Sequence, residues 1–137
     1  MNTVQIVTPT QIHDVWNKVE GYLNASLKIS GDDCTLDQLK LLLVKGFQIL
    51  LISVDDQKNI NGAMTVEFID YPNRKVLFIT GLGGVGVVND ETFSQVENWA
   101  RSQGATKVYA WAKEAQAKLY KLKANFNNVR MVVEKDL

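Results

Sequence analysis

The chain has 137 residues with 15 basic and 15 acidic side chains, so its formal net charge is zero. We expect a single domain over residues 1–137, because a domain of this size buries roughly 70% of its unfolded surface. An apolar fraction of 46% excludes a disordered chain. No apolar run reaches the roughly 20 residues of a membrane-spanning helix, and the first residues do not resemble an export signal. A single cysteine, Cys34, excludes an internal disulfide and favours a cytoplasmic location.

The charges are unevenly distributed along the chain. From Lys107 onward there are seven basic and three acidic residues, a balance of +4, which leaves eight basic and twelve acidic residues, or −4, before it. A basic surface of this kind can meet an anionic partner, although a solvated helix face explains the same lysines more simply. Basic motifs interleaved with aromatic residues are absent, so we expect neither nucleic acid nor membrane as a partner.

The first elements are a short strand and a long helix. Residues 3–7 alternate as a strand, and Thr8 with Pro9 and Gln11 predicts a capping box at the start of a helix that ends near Lys28. Apolar residues recur along that helix at the spacing of a face packed on a sheet. They are Ile12, Val15, Trp16, Val19, Tyr22, Leu23 and Leu27.

A second capping box, Thr35 to Gln38, predicts a short helix that ends before Gly46. The chain has one histidine, His13, beside the apolar stripe of the first helix. A lone histidine in that position is more typical of a surface residue than of a metal ligand or catalytic base, so we expect no metal site.

Three strands follow, and they lead into a glycine-rich turn. Residues 47–54, 62–69 and 75–80 are rich in β-forming residues and are separated by polar turns, which predicts consecutive antiparallel hairpins. The next six residues, GLGGVG at 81–86, predict a turn between the last of these strands and a helix. Backbone N–H groups at such a turn can bind phosphate, because glycine leaves them uncovered and the helix N-terminus is positive.

The remaining elements are a helix capped at Asn89 that ends at Gly104, a strand, a second helix and a last strand. The strand is KVYAWA at 107–112, and the second helix covers residues 114–126. Its predicted apolar face consists of Ala115, Leu119, Leu122 and Phe126. The last strand is NVRMVVE at 128–134. The predicted order, β-α-α-β-β-β-α-β-α-β, is that of an α/β (α+β) mixed sheet with helices on both faces.

This order, the glycine turn after the fourth strand, and the stretches WARSQGATKVYAWA and AKLYKLKANF together resemble the GCN5-related N-acetyltransferase fold. Within that superfamily the chain looks most like small acetyltransferase-like proteins of tailed bacteriophages, which share an early tryptophan, a Tyr-Pro turn before the fourth strand and the LGG turn. The resemblance implies mostly antiparallel N-terminal strands and a fourth and fifth strand that splay apart at the centre of the sheet.

The resemblance also implies an activity, the transfer of an acetyl group from acetyl-CoA to an amine of a small molecule or a protein lysine. In the family, the pantetheine arm lies along the fourth strand and the glycine turn holds the pyrophosphate. Gly81 stands where the family pattern has Gln or Arg. The residues that this implies for cofactor binding are Thr80, Leu82, Gly83, Gly84, Val85 and Gly86.

Tyr120 matches the family tyrosine that protonates the departing thiolate of CoA, which is a general acid role. A tyrosine at this place could equally be an ordinary residue of an amphipathic helix. The base that accepts the proton of the amine has no fixed motif position, and we take Glu67 as the candidate, with Asp70 as the other.

Two other hypotheses fit parts of the same sequence. Asp90 and Glu91, at the start of the helix after the glycines, stabilise its N-terminus but repel a pyrophosphate. They favour a catalytically inactive protein that keeps the fold as a binding or structural module, either in a phage particle or against a host factor in the host cytoplasm. GLGGVG also matches the dinucleotide fingerprint, but antiparallel hairpins precede it instead of a βαβ unit.

Overall fold

The computed structural model describes residues 2–28, 33–84 and 89–137. Within these ranges, no helix has both the length and the apolar character needed to cross a membrane. A 3-10 helix, Pro9–Gln11, precedes the first α-helix. The elements are β1 (Thr3–Val7), α1 (Ile12–Leu27), α2 (Leu36–Val44), β2 (Ile49–Val54), β3 (Ile60–Tyr71), β4 (Arg74–Gly84), α3 (Asp90–Ser102), β5 (Lys107–Ala110) and α4 (Glu114–Ala124).

The strands form one mixed sheet in the order β1-β2-β3-β4-β5. The first four strands are antiparallel to their neighbours, as consecutive hairpins require. β5 pairs parallel to β4, residues 107–110 against residues 76–79, after the crossover through α3. The predicted fold class, a mixed α+β sheet with antiparallel N-terminal strands, is confirmed.

Helices cover both faces of the sheet and create two hydrophobic cores. α1 and α2 close one face, where Ile12, Val19, Leu23 and Leu43 are almost completely buried against β1, β2 and β3. α3 and α4 close the other face, where Phe93 and Val96 pack on β2, β3 and β4. The site described below lies where β4 passes between α1 and α4.

A helical segment begins after each of the three predicted N-caps, and the predicted side-chain hydrogen bond is formed at two of them. Thr35 and Gln38 form the capping box of α2, with Thr35 Oγ1 accepting from Gln38 N at 3.2 Å and Gln38 Oε1 accepting from Thr35 N at 2.9 Å. Asn89 caps α3 by accepting from Thr92 N at 3.0 Å. The predicted capping box at Thr8 is wrong, because a 3-10 helix precedes α1 and the Thr8 side chain makes no capping bond.

The predicted inner face of α4 is wrong for Ala115, Leu119 and Leu122 and right for Phe126, which packs in the core. Leu119 and Leu122 are 45% and 83% exposed, whereas Tyr120 is 8% exposed. Ring contacts explain why Tyr120 and not the leucines faces the core. Tyr120 and Phe126 both pack on Phe93 of α3, with ring centroids 6.3 and 5.6 Å from the Phe93 centroid. Packing these aromatic rings together buries more apolar area than turning the two leucines toward the core would bury.

The predicted last strand is not formed. Residues 125–137 are described, and they have no regular secondary structure. Arg130 of this segment lies beside β5, with its Cζ 5.2 Å from the centre of the Tyr109 ring. Its β-forming composition is real, but a strand also needs backbone hydrogen bonds to a neighbour, and composition does not supply that neighbour.

Candidate functional site

The site is built on the second half of β4. The sequence predicts a turn at residues 81–86, but residues 81–84 continue the strand and pair with residues 62–65 of β3. The register shifts by one residue at Thr80, which makes a β-bulge there. Gly81, Gly83 and Gly84 therefore belong to the strand instead of a loop. Val85 and Gly86 lie outside the described residues.

Close packing explains why two of these positions are glycine. A Cβ on Gly83 would lie 2.2 Å from the carbonyl oxygen of Tyr22, so α1 could not sit this close to β4 with any other residue there. Gly84 has φ +99°, a conformation that other residues rarely adopt, and a Cβ on it would lie 2.5 Å from the Asn61 carbonyl oxygen. These glycines are required by the fold whether or not a phosphate binds nearby.

β4 loses its neighbour on one side at the bulge. β5 ends at Ala110, which pairs with Ile79, whereas β4 continues for five more residues, Thr80 to Gly84. Along those residues one edge of β4 has no strand beside it among the residues that the structure describes. Unpaired backbone groups on such an edge can pair with an extended ligand.

A cavity of about 170 Å³ lies beside this edge. β4 forms its floor, α4 and Trp111 form one wall, and the last turn of α1 forms the other. The cavity is lined by Ser26, Ile79, Thr80, Gly81, Leu82, Gly83, Gly84, Trp111, Gln116, Leu119 and Tyr120. Most of these groups are apolar or backbone, which is typical of a pocket for a small, mainly apolar group with a few polar contacts.

Tyr120 brings a hydroxyl group to the wall of this cavity. Its ring packs on Phe93 and Phe126, with centroids 6.3 and 4.9 Å away. The hydroxyl has no hydrogen-bond partner among the described residues, and none of their completely buried polar atoms lacks one, so this oxygen is reached from the cavity. Burial raises the pKa of Tyr120 to about 12, because the phenolate is poorly solvated there. The phenol therefore stays protonated at neutral pH and can donate.

The other side-chain oxygens of the floor are already paired. Thr80 Oγ1 donates to Gln48 Oε1 at 2.7 Å and lies 2.9 Å from Thr65 Oγ1, which must then be the donor of that second bond. Ser26 Oγ donates to the Leu23 carbonyl oxygen at 2.7 Å. This network fixes the bulge and leaves the Tyr120 hydroxyl as the free donor among the described lining side chains that carry a hydroxyl.

The two predicted candidates for a base lie away from the cavity. Glu67 is half-buried on β3 opposite Phe78, whose ring packs edge-on against the lining residue Trp111 at 5.1 Å, but Glu67 itself is not part of the lining. Asp70 is exposed near the end of β3, opposite Lys75. The structure therefore brings Tyr120 together with Thr80, Leu82, Gly83 and Gly84, but not with either carboxylate.

Sequence patterns missed two polar residues at the site, namely Ser26, which lines the cavity, and Gln48, which is outside the lining but accepts a hydrogen bond from Thr80. Ser26 lies on the buried stripe of α1, three residues after Leu23, and a small polar residue on such a stripe is a usable signal. Gln48 interrupts the apolar run at 47–54, which also marks it. Gln116 carried no signal and Leu119 was predicted to face the core, because their place in the lining depends on which side of α4 faces the sheet.

A metal centre and a dinucleotide site find no support in the described part of the chain. It contains no group of three or more His, Cys, Asp or Glu side chains that could hold a metal ion. Gly81 and Gly83, the first two glycines of the dinucleotide pattern, lie inside a strand that pairs antiparallel with β3. A dinucleotide fingerprint instead needs its glycines at the turn between a strand and a helix.

Neither a protein-family model nor a curated protein matches the sequence. Solved structures match along almost the whole chain. An aminoglycoside acetyltransferase from an uncultured soil metagenomic sample, in complex with sisomicin, has a TM-score of 0.70 at 10% identity, over 99% of this chain and 96% of the other. The chain has the acetyltransferase fold.

Two further structures with the acetyltransferase fold match as well. A ribosomal-protein-alanine N-acetyltransferase from Brucella melitensis biovar Abortus has a TM-score of 0.68 at 10% identity, over 100% of this chain and 98% of the other. A predicted acetyltransferase with acetyl-CoA from Clostridium acetobutylicum has a TM-score of 0.65 at 13% identity, over 99% and 96%. At identities this low, the structural matches establish the fold alone, and the activity has to be argued from the site.

Proposed function

We propose that the chain binds acetyl-CoA and transfers its acetyl group to a primary amine, either of a small molecule or of a protein lysine. The observation that carries the proposal is the free edge of β4 beside a cavity that contains an unpaired, protonated Tyr120 hydroxyl. The fold neighbours include one protein with acetyl-CoA and one with an aminoglycoside, which supports a thioester donor and an amine acceptor.

The residues present fit the acyl end of such a donor. The cavity of about 170 Å³ lies along the strand edge and has room for a small group such as an acetyl thioester beside the Tyr120 hydroxyl. The amide arm can pair with the backbone of residues 80–84 as an added strand, while Ile79, Leu82 and Trp111 contact its methylene groups. We propose that Val85 and Gly86, which follow directly, hold the phosphates. Acetyl-CoA supplies the acyl donor when it binds.

Tyr120 is proposed as the donor to the departing sulfur. A thiol has a pKa of about 8.5, and the Tyr120 pKa of about 12 is some 3.5 units higher. Complete transfer of the proton to a thiolate would then be uphill by about 5 kcal/mol. We therefore assign Tyr120 to stabilising the negative charge on sulfur through a hydrogen bond, which needs a protonated phenol and is favourable in a site with little water.

Glu67 is proposed as the group that accepts the proton of the amine. Its carboxylate lies on the sheet face of Phe78, and Phe78 contacts Trp111 at the cavity, so the proton has to pass through at least one water molecule. A positioned base contributes about 10²- to 10⁴-fold to the rate. The variant Glu67→Gln should lose that factor, whereas Asp70→Asn, a matched carboxylate three residues along β3, should turn over normally.

The proposal is tested first by binding, since binding needs no guess about the acceptor. With acetyl-CoA at about 100 times its dissociation constant, the protein should gain about 2.7 kcal/mol of stability, a thermal shift of several degrees. Leu119→Trp, at the cavity wall, should reduce this shift, and Leu122→Trp, one turn further on the exposed face of α4, should not. The absence of any shift with millimolar acetyl-CoA would end the proposal.

Catalysis is tested separately with Tyr120→Phe, which keeps the ring packing on Phe93 and Phe126. Turnover with an amine that the wild-type protein accepts should fall about 10²- to 10³-fold, the usual effect of losing one donor to a developing negative charge, while the thermal shift with acetyl-CoA persists. Tyr109→Phe removes a hydroxyl outside the cavity and should leave both unchanged. If Tyr120→Phe instead abolishes the thermal shift, the hydroxyl binds the donor and does not act on the sulfur.

The capping of α3 favours a second candidate, a protein that keeps the fold but not the reaction. The Asn89 side chain already accepts a hydrogen bond from Thr92 N, so that N–H group is not available to a phosphate. Asp90 and Glu91 in the first turn are exposed acidic residues. A phosphate beside this helix end would meet two negative charges. On this second proposal the chain is a phage particle component or a binder of a host protein, and it shows neither a thermal shift with acetyl-CoA nor turnover.

A further inference from the structure

Two tyrosine rings meet on one face of the sheet, at the end of β4 away from the cavity. Tyr71 belongs to β3 and Tyr109 to β5, and β4 lies between these strands. Neighbouring strands are about 4.8 Å apart, so β3 and β5 are separated by roughly 10 Å. The ring centroids are nevertheless 6.2 Å apart, which means that the rings lean toward each other across β4. Tyr71 is 39% exposed and Tyr109 is half-buried, so both rings keep surface that a ligand can contact.

Three basic side chains lie around this pair of rings. Arg74 is directly opposite Tyr71 in the β3–β4 pair, and Lys107 is two residues before Tyr109, on the same side of β5. The Arg130 Cζ is 5.2 Å from the centre of the Tyr109 ring. All three basic side chains are exposed, and none of them forms an ion pair with a described residue. Their charges are therefore available to a partner.

Acidic side chains of the strands lie farther from the tyrosines or on the other face. Among the described residues of β3, β4 and β5, Glu67 is the one acid on this face, because Asp70 is adjacent to Tyr71 and points to the opposite side. Glu67 precedes Tyr71 by four residues, which is about 13 Å along a strand. Exposed charges are largely screened beyond about 8 Å at physiological ionic strength. The sheet surface around the two tyrosines is therefore positively charged.

We propose that this surface binds single-stranded nucleic acid. Bases stack on the rings of Tyr71 and Tyr109, and phosphates meet Arg74, Lys107 and Arg130. Open aromatic rings beside cations are the combination that binds such strands without reading their sequence, because every base has a flat face to stack. An acidic peptide would use the cations but not the rings, and a duplex keeps its bases covered. The proposal does not depend on the proposed function.

This surface also explains why no nucleic-acid motif is visible in the sequence. Its residues come from three strands and from the C-terminal segment, so they are separated by up to 59 positions between Tyr71 and Arg130. The sequence-based expectation concerned basic and aromatic residues interleaved within one stretch. Here the pairing of β3, β4 and β5 brings them together instead.

Binding is tested on the whole chain by fluorescence anisotropy, with a labelled oligouridine of about twelve nucleotides at low salt. The oligouridine should bind, and a duplex RNA of the same length should bind about 10-fold more weakly or less, because its bases cannot stack on the rings. Three phosphate contacts predict that the logarithm of the association constant falls with the logarithm of the salt concentration at a slope of about −2. No binding at low salt, or equal affinity for the duplex, overturns the proposal.

Arg74→Gln and Lys107→Gln test the cations. Each substitution should weaken binding and reduce the magnitude of the salt slope by about 0.7, because one phosphate contact is lost. Lys121→Gln is the matched control, since it removes the same charge from the last turn of α4, outside this surface. Its slope should equal that of the wild-type protein. If all three variants lose the same affinity, the strand responds to the overall charge of the chain, and the proposed surface is wrong.

Tyr71→Ala tests the rings, with Tyr71→Phe as the control that keeps the ring. Tyr71→Ala should weaken oligouridine binding about 10-fold, whereas Tyr71→Phe should bind like the wild-type protein, because stacking needs the ring and not its hydroxyl. Heparin, a polyanion without bases, should bind both variants equally. If Tyr71→Ala binds oligouridine as tightly as wild type, or loses the same factor for heparin, the surface attracts any polyanion and the proposal is overturned.

Uridine monophosphate tests whether a strand is needed. At the same nucleotide concentration as an unlabelled oligouridine competitor, it should not displace the labelled strand, because one nucleotide cannot contact both rings and all three cations at once. Displacement by the monophosphate at that concentration would show that the surface takes a single nucleotide, and it would overturn the proposal of a strand.

Discussion

The two halves of β4 have different surroundings although they form one continuous strand. Residues 76–79 have a strand on either side and are almost completely buried, with Leu77 inaccessible to solvent. Residues 80–84 have a strand on one side only, and three of them are glycine. The difference arises because β5 is four residues long and stops at Ala110. The cavity lies where β4 continues beyond the end of β5, so the residue at which β5 ends decides where the site forms.

The largest expected effect compares the same substitution in the two halves. Leu77→Ala should lower the free energy of unfolding by about 2–5 kcal/mol, because it leaves a cavity in a core that is fully buried. Leu82→Ala should cost about 1 kcal/mol, since that side chain is half-buried at the cavity. Urea denaturation measures both. Equal losses at the two positions would mean that the second half of β4 is packed as tightly as the first.

The pH dependence of stability isolates the cavity side of β4. The Tyr120 pKa is raised from 10 to about 12. The contribution of the protonated phenol to the free energy of unfolding is therefore complete below pH 10 and is lost as the pH rises through 12. A shift of two units corresponds to a loss on the order of 3 kcal/mol at the high end of this range. Wild type and Tyr120→Phe should therefore have parallel stability curves below pH 10 and diverge above it. Curves that stay parallel at higher pH would show that the phenol is solvated.

A smaller loss is expected where α1 meets the glycines. Gly83→Ala should cost about 1–3 kcal/mol, because its Cβ would collide with the Tyr22 carbonyl oxygen and backbone atoms cannot move aside cheaply. Gly21→Ala is the control, in the helix that Gly83 contacts, with nothing within 4 Å of the added carbon. It should gain about 0.5–1 kcal/mol from the better helix propensity of alanine. Chemical denaturation of the pair separates the packing cost from the effect of replacing a glycine.

The smallest expected effect concerns the bulge at Thr80. Thr80→Val removes the donor to Gln48 and the acceptor for Thr65, and it should cost about 1–2 kcal/mol. Thr3→Val on the exposed side of β1 should change stability very little. Thermal unfolding measures both variants. If Thr80→Val is as stable as wild type, the hydroxyl network does not hold the bulge.

Local signals in the sequence predicted most of the elements. The capping box at Thr35 and Gln38, the cap at Asn89 and the polar turns between hairpins act within a few residues, so they read directly from the sequence. The inner face of α4 could not be predicted this way, because the position of Phe93 on another helix decides which side is buried. The prediction of the last strand is wrong for the same reason, since β propensity does not supply a neighbouring strand with which to form hydrogen bonds.

The candidate site was predicted in part. Thr80, Leu82, Gly83, Gly84 and Tyr120 do surround one cavity, although their roles in binding and catalysis stay proposals. Glu67 is not part of its lining. Ser26 joins the lining through the tertiary packing of α1, and spacing along the chain does not give that contact.

By itself, the sequence determined the order of elements from β1 to α4, the hairpins, the mixed sheet and the stretch of chain where a ligand could meet bare backbone. Caps, turns and hydrophobic periods act between residues close in the chain, and this local chemistry is sufficient for those features. Only the tertiary structure decided that the glycines belong to a strand, that α1 requires Gly83, and that Tyr120 turns inward. Each of these depends on contacts between residues far apart in the chain, whose geometry appears only when the sheet and its helices pack together.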